Sequence, residues 1–127
     1  MVIAFGLALS ACDTMIADRM MIRTPSQSAG APPSSAQLLA TSRDVLMDCG
    51  LAEADITSFR DALHWRNPKR PPGLHIMVDR AGDDVGLTLA QDLYGPIGPT
   101  DAYQCVKKTL RRRLEDRFGK DRVRLES

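Results

Sequence analysis

The chain is 127 residues long with a formal net charge of +1, room for one ordinary domain or a smaller domain with a tail. Its 43% hydrophobic and 26% charged residues exclude a disordered chain, and the near-zero charge gives no general basis for binding nucleic acid or anionic substrates. Aromatic residues are only 5%, which argues against a stacking platform for single strands, so no nucleic-acid partner is expected.

Residues 2–11, VIAFGLALSA, carry no charge. About ten residues rise roughly 15 Å as a helix, half of a bilayer core, so a transmembrane span is a poor reading. The length suits the apolar region of a secretory signal, which small residues follow. Ser10 and Ala11 stand directly before Cys12. Leu9-Ser10-Ala11-Cys12 resembles the lipobox of bacterial lipoproteins. That resemblance covers the first dozen residues and implies a processing class, not an activity. It implies that residues 1–11 are a signal peptide and that the chain is cut before Cys12. The Cys12 sulfur then carries a diacylglycerol, and the new amino group is often acylated; no cofactor beyond this covalent lipid is expected. One acyl chain binds marginally, at about 0.8 kcal/mol per buried methylene, whereas two or three hold firmly. Asp13 resembles the inner-membrane retention signal of enterobacterial lipoproteins, so the implied location is the envelope, facing the periplasm, with the inner membrane slightly favoured. The run departs from the class in having only Met1, and no Lys or Arg, ahead of it, which leaves the true start open. The alternative is a buried N-terminal strand or helix with an ordinary thiol.

Residues 12–35 read as a lipidated N-terminus and flexible tether. Thr14 to Arg23, with Met15, Ile16, Met20 and Met21, suits either a short interfacial segment or a poorly ordered tail. Thr24 to Ser35, TPSQSAGAPPSS, has linker chemistry, with a reach on the order of 20 Å that would hold a domain off a membrane.

Residues 36–127 read as a small α+β domain. Ser34 and Gln37 fit a capping box. Leu38, Leu39, Ser42, Val45, Leu46 and Cys49 then follow helical spacing, and Gly50 is placed to end the helix as a left-handed cap. Residues 56–66 fit either helix or strand, with a strand near Arg60 to Arg66 favoured because Trp65 precedes the breaker cluster NPKRPPG. Leu74, Ile76 and Val78, then Val85, Leu87, Leu89 and Leu93, alternate with polar or small residues around a turn at Ala81 to Asp84. One face of that hairpin is apolar, so the sheet is expected to be covered on one side, with His75 exposed on the other. Pro99 and Thr100 lead into a second helix with Ala102, Val106, Leu110 and Leu114 inward; Gly119 ends it, and Val123 and Leu125 read as a final strand. The expected architecture is a two-layer sandwich in αβββαβ order, with two helices on one face of a mostly antiparallel sheet of about four strands.

With Cys12 lipidated, Cys49 and Cys105 remain as an even pair in an oxidising compartment, where such pairs normally join. Antiparallel helices on one sheet face would bring the end of the first helix to the first turns of the second. The alternative is two separate buried thiols. No CxxC motif is present, so the pair reads as structural.

Little else points to chemistry. His64 and His75 have no metal-ligand spacing, and no nucleophile elbow, phosphate loop or zinc motif is present. Asp83 and Asp84 suit a turn. The loop GPIGPT, with Tyr94 and Ile97 as contacts, reads either as recognition surface or as simple topology. Lys107, Lys108, Arg111, Arg112 and Arg113 read as a face for anionic headgroups or an acidic partner, or as a solvated helix face. The functional expectation is a non-catalytic envelope protein that binds or scaffolds another envelope component. The alternative is a periplasmic inhibitor or immunity-type protein that blocks an enzyme; a hydrolase is third.

Overall fold

Alternation of apolar side chains builds most of the sheet. The computed structural model describes residues 15–23 and 33–126. In chain order these are β1 (Met15–Ile22), α1 (Ser35–Asp48), β2 (Ile56–Phe59), β3 (Ala62–Trp65), β4 (Leu74–Ala81), β5 (Asp84–Asp92), α2 (Asp101–Phe118) and β6 (Val123–Glu126). The sheet is six-stranded in the order β2-β3-β4-β5-β1-β6, with every neighbouring pair antiparallel. Both helices lie on one face, so the α+β class and the two-layer arrangement match expectation.

Three expectations are corrected. The sheet has six strands, not about four. Residues 56–66 form a β-hairpin, not one strand, with Arg60 at φ 55 in its turn. More consequentially, residues 15–23, read as tether, are not: Met15–Ile22 is a strand hydrogen-bonded between β5 and β6. The domain therefore begins at least as early as Met15 rather than at residue 36, and the order is βαββββαβ rather than αβββαβ. Ile16, Met20 and Ile22 point to the helices, and Met20 and Ile22 are fully buried. Each such burial removes apolar surface worth about 2 kcal/mol, which offsets the entropy of ordering the segment.

The helices follow their sequence signals. Ser34 Oγ accepts from Gln37 N at 3.1 Å, and Gln37 Oε1 accepts from Ser34 N at 3.0 Å, completing the capping box. Gly50 follows α1 at φ 86, the left-handed geometry that a side chain rarely adopts. Thr100 Oγ1 accepts from Tyr103 N at 3.1 Å to start α2, which ends at Gly119. Leu38, Val45 and Leu46 of α1 meet Val106, Leu110 and Leu114 of α2 above the alternate residues Leu74, Ile76, Val85, Leu87 and Leu89. Gly86 sits mid-strand because the Arg19 guanidinium crosses the sheet directly over it, pairing with Asp79 and, at 3.3 Å, with Glu126; a Cβ there would collide with it.

The two helices run antiparallel, so the end of α1 and the start of α2 meet. Cys49 and Cys105 are joined there, with Cα atoms 5.9 Å apart, as their positions suggested. Arg113 of α2 also pairs with Asp48 at the end of α1.

Candidate functional site

The end of the sheet where β1 begins and β5 finishes gathers most of the polar architecture. β1 and β5 pair there as Met15 opposite Asp92, β4 begins at Leu74 opposite Gln91, and β3 finishes at Trp65 opposite Leu74. The disulfide and the start of α2 lie at the same end.

On the helix-free face, His64 of β3 stands opposite His75 of β4. Their Nδ1 atoms are 2.7 Å apart, and His75 Nε2 is 2.7 Å from Asp92 Oδ1. A carboxylate only accepts, so His75 donates from Nε2 and, when neutral, accepts at Nδ1. His64 then donates from Nδ1, and its Nε2 keeps a lone pair. The result is an oriented Asp92–His75–His64 chain ending in a proton acceptor or single metal ligand at His64 Nε2. Gly73 makes room for it: a Cβ there would lie 3.0 Å from Asp92 Oδ2 and 3.1 Å from Trp65 O. His75 is only 3% exposed, which corrects the expectation that it faces solvent; its two ring nitrogens are satisfied by neighbours that only strand register brings together. Thr57 is the residue of β2 opposite His64. Among the described residues, no group of three or more metal-ligating side chains is assembled.

Burial lowers the His64 pKa from its ordinary 6.5, helped by the charges of His75 and Arg66 and opposed by Asp92. The unfolded chain therefore binds more protons than the folded one just below pH 6.5. Stability linked to His64 is present above pH 6.5 and is lost as pH falls through the lower folded value. Urea midpoints measured from about pH 7.5 down to about pH 5.5 should fall more steeply in the wild type than in His64→Gln. Equal slopes would remove this group from the pH dependence.

The basic residues of α2 occupy a different place. An open groove of about 790 Å³ runs along α2 from Pro99 to Glu115, lined by Lys107, Lys108, Arg111 and Arg112. Thus the structure brings these four predicted residues to one groove. Two are already neutralised: Lys107 pairs with Asp18 at 3.2 Å and Arg111 with Glu115 at 3.3 Å. Among the described residues, Lys108 and Arg112 have no ion-pair partner. Asp18, a core-facing position of β1, also accepts from the Tyr103 hydroxyl at 2.6 Å. Burial, then that bond and the Asp18 charge, pushes the Tyr103 pKa upward, so the phenol remains a donor.

Tyr94 and Ile97 do not line this groove, although Pro99, on the same loop that joins β5 to α2, does. They pair as an isolated antiparallel bridge. The loop is pinned by the fully buried Gln91, whose Nε2 donates to Gly98 O while its Oε1 accepts from Thr100 N and Oγ1, all at 3.0 Å. Beside it, Trp65 lines a recess of about 200 Å³ with Arg70, Pro71, Pro72 and Thr100, and the buried Trp65 Nε1–H has no acceptor among the described residues. Leu9, Ser10, Ala11, Cys12 and Asp13 lie outside the described residues. Sequence reasoning missed the Asp92–His75–His64 chain, Gln91 and Tyr103. The only linear signal for the first was two histidines on adjacent predicted strands.

No protein-family model, curated protein or solved structure matches the chain. Among the described residues, no helix is long and apolar enough to cross a membrane.

Proposed function

We propose that this chain is a lipid-anchored protein of the bacterial envelope, facing the periplasm, whose domain binds or scaffolds another envelope component without catalysing a reaction. The observation that carries the reading is how the three cysteines divide. Cys12 ends the lipobox-like run, and Cys49 and Cys105 are joined between the helices. Such bonds persist in oxidising compartments, which is where a lipobox would deliver the domain. Asp13 tips the reading toward the inner membrane. The α2 groove, with Lys108 and Arg112 open to an acidic partner, is the surface assigned to the envelope component.

Radioactive palmitate fed to cells should label the wild-type protein and leave Cys12→Ala unlabelled and unprocessed. Equal labelling of the two, or none of either, would sink the anchoring.

A second reading, a periplasmic inhibitor or immunity-type protein, is favoured by the exposed loop carrying Tyr94 and Ile97, which Gln91 stiffens as an enzyme-blocking loop requires. Identifying the protein crosslinked to the domain in membranes separates the two. A structural envelope component favours scaffolding, and a hydrolase or toxin favours inhibition.

A further inference from the structure

We propose that the end of the sheet where β1 begins rests on the phospholipid bilayer, with Leu93, Tyr94 and Ile97 as the residues that enter the interface. The inference rests on the anchoring of Cys12 proposed above and adds an orientation to it.

The first support is chain length. Only Asp13 and Thr14 separate Cys12 from the first residue of β1, Met15. Three residue steps span at most about 10 Å even when fully extended. A lipid on Cys12 therefore holds this particular end of the domain against the headgroups, which are themselves only several ångströms deep. The long linker first expected to lift the domain away does not lie between Cys12 and β1; it follows the strand.

The second support is what that end displays. Met15 is 40% exposed, Leu93 48%, Tyr94 50% and Ile97 42%. Met15 pairs with Asp92, the residue before Leu93, so the four side chains belong to one corner of the sheet. Tyr94 suits an interface, with an apolar ring and a polar tip. The loop is already ordered by Gln91 and by the Tyr94–Ile97 bridge, so little further entropy is lost when its side chains insert. Lys69 and Arg70, both exposed, sit on the β3–β4 connection at the same end and provide positive charge for anionic headgroups. The opposite end of the β4–β5 hairpin, by contrast, is the turn around Gly82, Asp83 and Asp84.

A bilayer is a better occupant than a protein because the anchor places lipid there first. A protein partner at this corner would have to displace it, whereas the α2 groove runs from Pro99 along the helix to Glu115, away from the corner.

The test uses the full chain in cells, with the photo-crosslinker p-benzoylphenylalanine in place of Ile97 or, as a control at the far end of the hairpin, in place of Ala81. Palmitate labelling of Cys12 is read on the same samples. With the label present, lipid adducts detected by mass spectrometry should exceed those at position 81 by about tenfold. Label present with equal lipid adducts at both positions, or with position 97 crosslinked to protein alone, overturns the docking while leaving the anchor intact. Absence of the label overturns the anchor itself, and the docking with it.

Discussion

Replacing Cys49 and Cys105 together with alanine is expected to lower the unfolding free energy by about 4 kcal/mol. The bond closes a segment with a sequence separation of 56 residues, and chain-entropy arguments assign that loop a figure of about this size. It ties the end of α1 to the first turns of α2, the two elements that roof the sheet. Domains of this size are stable by only about 5–15 kcal/mol, so the loss is a large share of the total. Urea titration of oxidised wild type, reduced wild type and the double variant checks it. The last two should coincide well below the first. Coincidence of all three would show that the bond stabilises nothing.

Met20→Asp is expected to abolish cooperative folding. Met20 is fully buried, opposite Leu87 on one side and Leu125 on the other. The substitution removes a packed side chain worth about 2–5 kcal/mol and adds a carboxylate whose desolvation costs several more. Met20→Leu, which nearly conserves volume, should change stability by less than about 1.5 kcal/mol. Met15→Asp, at a position 40% exposed, should be mild. Circular dichroism melts read all three. A folded Met20→Asp protein with a wild-type melt would return residues 15–22 to the tether first read from their composition.

That segment shows where linear patterning stops working. MIADRMMI places Asp18 at a position that alternation assigns to the core, and an ionised residue there argues against a strand. The objection disappears only in three dimensions, where Tyr103 donates to Asp18 and Lys107 pairs with it. Both partners come from α2, more than 80 residues further along, as the separation of 85 between Asp18 and Tyr103 shows. Likewise His64 and His75 looked unrelated because their separation fits no ligand spacing. Register set them opposite each other, and β5 then delivered Asp92 to the second of them. The predicted basic set was legible as a helix face, and the Arg111–Glu115 pair is local, four residues apart, but the pairing of Lys107 depended on where β1 places Asp18.

The elements legible in the chain were those whose evidence is local. The capping box at Ser34, the left-handed Gly50, the alternation of β4 and β5 and the periodicity of α2 each rest on groups a few residues apart. The pairing of Cys49 with Cys105 was expected from helix direction and, with Cys12 set aside by the lipobox resemblance, from their number; that lipobox-like run is a local pattern as well. By itself, then, the sequence determined an α+β domain with two helices, a central hairpin and one cystine, attached to a segment that resembles a lipoprotein signal. Tertiary structure alone decided that the sheet has six strands, that β1 closes the gap between β5 and β6, and that Asp92, His75 and His64 form one chain. The physical reason is the same in each case. A charge or a histidine acquires its meaning from the partner opposite it, and strand pairing between distant segments, not spacing along the chain, chooses that partner.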